Sequence, residues 1–222
     1  MKSRTYVLFN VFMLLGSIVF GLSENTRHEV HPYQSIESIL KNPTTISFSV
    51  SEDQGGRDRL TASCDMHAIY PIEARRLYAI LQDTAKTEAA FSDIVRVQNA
   101  ARNGYDPNHF LQRQVIEISA LGITKTYDYI LDMRMEVSND GKEFKSAWTL
   151  ADSPDGTFSE VTGSWYFKEF ENAGKIYTYV RNFTSNTMIN TIAGQKLILK
   201  LFAEGRIKKT MDELFSAALQ VR

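Results

Sequence analysis

Five residues in the middle of the chain have side chains that could serve as general acids or bases. They are His67, His109, Arg113, Glu117 and Asp128. Each could transfer a proton only if it faced an enclosed pocket, within hydrogen-bond reach of a reacting atom. A histidine that occurs singly in a strand is more often exposed or hydrogen bonded for structural reasons. We therefore assign no catalytic residue, and an enzyme is the less favoured interpretation.

No stronger motif for catalysis or metal binding accompanies these residues. The sequence contains no Ser, His and Asp arrangement, no glycine-rich phosphate loop and no metal-ligand spacing. Cys64 is the only cysteine, so no disulfide can form within the chain. A small buried apolar side chain in a strand fits it better than a nucleophile. We expect neither a metal nor another cofactor.

The N-terminus has the three-part layout of a secretory signal peptide. Lys2 and Arg4 precede an apolar run over residues 6–20, and the small residues Gly21 and Ser23 follow. The run has about 15 residues, whereas a membrane span needs roughly 20. We expect cleavage after Ser23, so that residues 1–23 direct export to the periplasm or to secretion. An uncleaved N-terminal membrane anchor is the alternative.

The mature chain then comprises residues 24–222, a size that suits one domain. Removing Lys2 and Arg4 takes away two positive charges and no negative one, so the net charge changes from −1 to −3. This charge makes nucleic acid an unsuitable partner. Residues 24–43 are expected to be a lead-in segment with one short helix over residues 35–40, and residues 44–222 the folded domain. The oligomeric state stays open.

Alternation of apolar and polar residues predicts eight strands. They cover residues 44–51, 59–70, 94–101, 109–119, 123–136, 143–151, 161–170 and 175–184. Helical spacing predicts two short helices over residues 73–82 and 87–91 and a long amphipathic helix over residues 187–220. Short turns between the last six strands predict an antiparallel meander. The long helix can bury its apolar side only on the concave face of that sheet.

Several short motifs occur in this framework between residue 60 and the C-terminus. They are Ala68-Ile69-Tyr70-Pro71-Ile72-Glu73 followed by Leu77 and Leu81-Gln82-Asp83, then Thr126-Tyr127-Asp128, the strand of Trp148, and Gly163-Ser164-Trp165-Tyr166-Phe167. Their order resembles the START-like proteins of the SRPBCC superfamily, which includes polyketide cyclase-like and birch-pollen-allergen-like proteins. Many of these proteins place an aromatic-proline pair after the first helix, whereas this chain has Thr87-Glu88-Ala89-Ala90-Phe91-Ser92-Asp93.

The resemblance implies an α+β helix-grip fold, in which a curved antiparallel sheet wraps around a long C-terminal helix. It also implies a cavity between sheet and helix that holds lipids, polyketides, sterols, quinones or other apolar molecules. It implies no single ligand or reaction, because one fold hosts many functions.

Strand alternation predicts which side chains face this cavity, since successive side chains point to opposite sides of a sheet. The predicted lining is Tyr127, Tyr129, Leu131, Met133, Phe144, Trp148, Val161, Gly163, Trp165 and Phe167 from the strands, with Leu197 and Leu201 from the helix. Aromatic and methionine side chains are typical of adaptable apolar pockets. Gly163 either leaves room for a ligand or marks a bulge. Plain core packing is the alternative for any one of these residues.

The favoured function is therefore an exported binding protein or carrier for an apolar small molecule or lipid, and transient contact with a membrane is compatible with it. A cyclase or dehydratase on the same fold would instead need an inward acid and base near one point of the cavity. A structural or interaction protein would have a core filled by its own side chains.

Overall fold

The computed structural model describes residues 36–52, 59–101, 106–120, 122–189 and 194–221. The expected signal segment and most of the lead-in segment lie outside these residues. The elements are α1 (Ile36–Ile39), β1 (Thr44–Glu52), β2 (Leu60–Tyr70), α2 (Ala74–Gln82), α3 (Thr84–Ala90), β3 (Ile94–Ala101), β4 (His109–Ala120), β5 (Ile123–Val137), β6 (Glu143–Asp152), β7 (Phe158–Asn172), β8 (Lys175–Met188) and α4 (Gln195–Ala218).

Eight strands form one antiparallel sheet in the order β1-β2-β8-β7-β6-β5-β4-β3. The hairpin of β1 with β2 and the meander from β3 to β8 confirm the strand pattern predicted from alternation. The pairing of β2 with β8 joins the two parts, and its register runs from Leu60 opposite Met188 to Tyr70 opposite Thr178. The first hairpin thereby extends the wall that the meander builds.

A two-residue turn joins β7 to β8, the two longest-paired strands of the sheet. Asn172 and Lys175 are cross-strand partners, so Ala173 and Gly174 alone form the turn. Both have left-handed backbone angles, with φ of +51° and +72°. Two consecutive left-handed residues match the right-handed twist of a hairpin, and glycine adopts this conformation without a steric penalty.

The start of the long helix was predicted wrongly, because β8 continues through Thr187 and Met188. The Thr187 hydroxyl lies 2.9 Å from that of Thr61 on one face of the sheet. Met188 is buried on the other face, opposite Leu60. These residues still alternate as in a strand, and α4 begins only at Gln195.

The main core lies at one end of the concave face, under α2 and the second half of α4. Tyr78 of α2 packs on Phe144 with 4.7 Å between ring centroids, and Tyr70 stacks on Phe215 of α4 at 4.4 Å. Met211 and Leu214 are fully buried in the same cluster. Burying each such large apolar side chain contributes roughly 1.5–3 kcal/mol. These contacts anchor the C-terminal half of α4 on the sheet.

The opposite face of β2 and β8 carries a buried ion pair. Asp65 and Arg181 are 6% and 9% exposed, and the Arg181 Nε donates to Asp65 Oδ1 at 2.7 Å. His67 packs edge-on against Tyr179 beside them, with ring centroids 5.9 Å apart. Because strand side chains alternate, this cluster lies on the other side of the sheet from Cys64 and Asn182. In the described part of the chain, no helix combines the length and apolar content needed to cross a bilayer.

Candidate functional site

A cavity of about 400 Å³ lies between the concave face of the sheet and α4. Small-molecule sites in proteins have volumes of roughly 300–1,000 Å³. Strands β2 and β4 to β8 form one wall, α4 forms the facing wall, and Leu81, Phe91 and Ile94 contribute from α2 and the region around α3. A structural or interaction protein with a core filled by its own side chains would not have such a cavity.

Seven residues of the predicted lining lie on the cavity wall. They are Tyr127, Tyr129, Leu131, Met133, Trp148, Val161 and Trp165. All point inward because their strands keep the alternation of the sequence, and Leu131, Met133, Val161 and Trp165 are buried. The structure thus brings residues of three strands to one space. That they contact a ligand stays a prediction.

Phe144 and Phe167 also point inward but do not line the cavity. They are cross-strand partners, and both contact the ring of Tyr78, with centroid distances of 4.7 and 6.4 Å. Helix α2 covers this end of the sheet, so the two phenylalanines belong to the packed core. Alternation identifies the face of a side chain but not whether a helix lies directly above it.

Gly163 leaves no room for a ligand, because the indole of its cross-strand partner Trp148 occupies that space. A Cβ at Gly163 would lie 2.5 Å from Cε2 of Trp148 and 2.6 Å from the backbone oxygen of Phe183. The ladder is regular here, so Gly163 does not mark a bulge either. The absence of a side chain lets the indole of Trp148 lie against residue 163, and Trp148 lines the cavity in its place.

Leu197 and Leu201 do not line the cavity; their prediction was wrong. They are 60% and 63% exposed on the outer side of α4. The inner side of the helix instead presents Ile198, Leu199, Phe202, Ala203 and Ile207. Apolar residues occur on both sides of the first half of α4, so their presence alone does not select the inner side.

A row of hydrogen-bonded polar side chains crosses the wall on β4 and β5. The Tyr129 hydroxyl donates to Gln114 Oε1 at 3.1 Å, and Gln114 Nε2 donates to Gln112 Oε1 at 2.5 Å. Gln112 Nε2 then donates to Asn99 Oδ1 at 2.8 Å at the edge of the sheet. Burial raises the pKa of Tyr129, so this hydroxyl stays protonated and donates along the row. Each of these side chains therefore has a hydrogen-bond partner within the row.

Each ionic side chain of the cavity wall contacts another side chain. Arg206 of α4 forms an ion pair with Asp93, which precedes β3. Glu213 accepts a hydrogen bond from the Ser92 hydroxyl at 2.6 Å. Lys125 lies over the ring of Tyr127, 4.9 Å from its centroid.

The five acid and base candidates lie away from the cavity wall. His109 is paired with Asp132 at 2.7 Å, and Arg113 Nε donates to Asp128 Oδ1 at 2.9 Å. The hydrogen bond from Arg113 holds the pKa of Asp128 below its ordinary value. His67 is buried on the opposite face and Glu117 is exposed. Within the ranges that the structure describes, no group of three or more His, Cys, Asp or Glu side chains could hold a metal ion.

The sequence analysis missed the part of the wall formed by β2 and β8. Cys64, Asn182, Thr184, Asn186 and Met188 line the cavity there. Burial raises the pKa of the Cys64 thiol to about 12, so the thiol is protonated at neutral pH. The alternation of β8 could have placed Asn182 and Thr184 inward, since they lie two and four residues beyond the buried Val180.

No protein-family model matches the sequence, and no curated protein matches it in sequence. Solved structures do share its fold. Human StAR-related lipid transfer protein 5 superimposes with a TM-score of 0.57 at 10% identity, over 80% of this chain and 88% of that one. Human STARD10 gives 0.55 at 11% identity, over 80% and 75% of the two chains. A STAR-related lipid transfer protein from Xanthomonas axonopodis gives 0.50 at 12% identity, over 78% and 99%.

These similarities confirm the α+β class and the START-like helix-grip architecture expected from the motif order. The low identity limits the comparison to the fold.

Proposed function

We propose that this chain, which has the START-like helix-grip fold, binds a hydrophobic, lipid-like ligand in the cavity between its sheet and α4. One observation carries the proposal: an apolar and aromatic cavity of about 400 Å³ lies inside a packed domain. Proteins with this fold include ones described as lipid transfer proteins. The carrier function that we propose, in which the ligand is taken up and released intact, is supported by the position of the five acid and base candidates away from the cavity wall.

The size of the cavity suits a ligand of modest length. At roughly 30 Å³ for each water-sized group, about 400 Å³ holds on the order of a dozen non-hydrogen atoms. Each buried methylene contributes roughly 0.8 kcal/mol, so about ten of them provide the ~8 kcal/mol that corresponds to micromolar affinity. An acyl chain can therefore bind without a charged partner.

Tryptophan fluorescence tests the proposal directly. Trp148 and Trp165 are the only tryptophans, and both line the cavity. Titration of the mature protein with a panel of fatty acids, sterols and quinones should change the emission with a micromolar midpoint. Native mass spectrometry followed by solvent extraction should identify a copurified ligand. A wild-type protein that binds no member of the panel contradicts the proposal.

Two single substitutions, one inside the cavity and one on the other face of the sheet, provide a test and its control. Val161→Phe adds volume inside the cavity and should weaken binding by at least about tenfold, which is ~1.4 kcal/mol. Thr126→Leu changes an exposed residue on the other face of β5 and should leave the affinity unchanged.

We also propose that residues 1–23 direct export, so that the ligand is bound outside the cytoplasm. The proposal rests on the basic start, the short apolar run and the small residues before Glu24. Mass spectrometry of protein recovered from the cell envelope should find its N-terminus at Glu24 or within a few residues of it. Full-length protein in the membrane fraction would support the uncleaved anchor instead.

A further inference from the structure

The cavity ends at one row of residues across three neighbouring strands, β8, β7 and β6. On each strand the last residue that lines the cavity is followed by an inward-facing residue of the packed core. The lining residues are Asn182, Trp165 and Ser146, and the core residues behind them are Val180, Phe167 and Phe144. On β2 the cross-strand partner of Asn182 is Met66, which already belongs to the core. Asn182 is the cross-strand partner of Trp165, and Trp165 is the partner of Ser146. This row is the inner end of the cavity.

Asn182 brings an unpartnered amide to this inner end. The residue is 5% exposed and lines the cavity. Among the residues that the structure describes, its side chain forms no hydrogen bond. An amide has two donor hydrogens and an acceptor oxygen, all of which can hydrogen bond to a molecule in the cavity. Its flanking neighbours across the strands, Met66 and Trp165, place a thioether and an indole beside it.

The other amides of the wall have hydrogen-bond partners to different degrees. Gln112 and Gln114 are engaged in the row that starts at Tyr129. Asn186, four residues along β8, accepts one long hydrogen bond through its oxygen, from Thr184 at 3.4 Å. The amide of Asn182 has no such partner among the described residues, so it remains available to a molecule in the cavity.

The charges of the wall indicate which polar group fits there. No member of the inner row carries a charge. The ionic groups of the wall lie on other elements: Asp93 precedes β3, Lys125 is on β5, and Arg206 and Glu213 are on α4. A carboxylate or phosphate brought to the inner end would lose its hydration without gaining a cation. A hydroxyl or carbonyl group needs only a neutral partner, and an amide can donate to or accept from either.

We propose that the inner end of the cavity is a subsite for a neutral polar group, a hydroxyl or carbonyl, which hydrogen bonds to the side chain of Asn182. This inference rests on the proposed function and adds the class and orientation of the ligand. The ligand is an uncharged amphiphile that enters with its polar end first, and its apolar remainder lies along Trp148 and Val161.

Three probes with eight carbons test the subsite: octane, 1-octanol and octanoate. Binding to the mature protein can be measured by headspace gas chromatography for octane and by displacement of a cavity-bound dye for the others. Wild-type protein should bind 1-octanol at least as tightly as octane, and octanoate at least about tenfold more weakly. This comparison needs no substitution. Wild-type protein that prefers octanoate to 1-octanol would overturn the inference.

Asn182→Leu keeps the side-chain size but removes the amide. We expect this variant to bind 1-octanol about tenfold more weakly than wild type, with octane binding unchanged or tighter. The matched control is Asn186→Leu, on the same face of the same strand, which should change both affinities alike. Equal losses for octane and 1-octanol in Asn182→Leu overturn the inference, because they reveal a change of shape alone.

Two further outcomes are also decisive. A selective loss of 1-octanol binding in Asn186→Leu but not in Asn182→Leu overturns the inference, since it places the polar group away from the inner end. If wild-type protein binds none of the three probes, the proposed function itself is contradicted, and the inference about the subsite is contradicted as well.

Discussion

The indole of Trp148 lies over the backbone of Gly163 across the ladder between β6 and β7. This contact places a large aromatic side chain against the sheet on the cavity wall. It exists only because residue 163 has no Cβ. The glycine thus determines the shape of the cavity without lining it.

Replacing Gly163 by alanine should therefore destabilise the protein. The new Cβ would lie 2.6 Å from the backbone oxygen of Phe183, and Trp148 would have to move. Overpacking of this kind costs about 1–3 kcal/mol in the free energy of unfolding, measured by urea denaturation. Gly205→Ala is the control, because a Cβ there meets nothing within 4 Å in the middle of α4. It should stabilise the protein by up to about 1 kcal/mol.

Two leucines of α4 test which side of the helix is buried. Leu201 is 63% exposed, whereas Leu214 is fully buried against the sheet. Leu201→Asp should change the free energy of unfolding by no more than about 0.5 kcal/mol. Leu214→Asp places a carboxylate in the core and should cost at least about 3 kcal/mol, or prevent folding. Comparable losses in both variants would show that α4 lies in another orientation.

The inner side of the first half of α4 could not be read from helical periodicity alone. The residues at four-residue steps back from Met211, which are Ile207, Ala203, Leu199 and Gln195, all line the cavity. At about 100° per residue, however, these steps turn progressively away from Met211, so that Gln195 lies about 160° from it on a straight helix, whereas the exposed Leu197 lies only about 40° from it. The side of α4 that faces the cavity therefore changes along the helix and depends on how the helix lies over the sheet.

The strand faces were predicted better than the depth of each residue. A period of two placed Tyr127, Leu131 and Trp165 inward from local pattern alone. It could not separate Trp165, on the cavity wall, from Phe167, in the core, because that difference depends on where α2 packs. The pairing of β2 with β8 also connects residues about 120 positions apart, which no local pattern reveals.

Cys64 provides a prediction of reactivity and of pH dependence. Burial, and to a lesser extent Glu204 and Asp65, raise the pKa of its thiol from 9.0 to about 12. At pH 8 the thiol in the folded protein should react with iodoacetamide at least about 100-fold more slowly than in urea, because only the thiolate reacts. Equal rates in both states would show that the side chain is accessible and easily ionised.

The raised pKa of the Cys64 thiol also makes the free energy of unfolding depend on pH. The unfolded chain ionises Cys64 near pH 9, while the folded protein holds the proton up to about pH 12. The contribution is therefore complete below pH 9 and is lost as the pH rises from 9 to 12. Cys64→Ala lacks this contribution, so its unfolding free energy should fall less steeply with pH than that of wild type over this interval.

The buried pair of Asp65 and Arg181 should respond differently to single and double substitution. Arg181→Met alone leaves a buried carboxylate without its partner and should cost about 3–5 kcal/mol. Asp65→Leu combined with Arg181→Met removes both charges and should recover most of that loss. Thermal denaturation of Arg181→Met, Asp65→Leu and the double variant measures the difference. A double variant as unstable as the sum of its single variants would mean that the residues act independently.

The two halves of α4 differ in how closely they pack against the rest of the domain. This difference determines where the native protein unfolds locally. Residues from Met211 to Ala218 pack on the core, whereas the turns from Gln195 to Ile207 border the cavity. Backbone amides of the first half should therefore exchange with deuterium through local opening, at a lower free energy than those of the second half, which require global unfolding. A ligand that fills the space would selectively slow exchange in the first half.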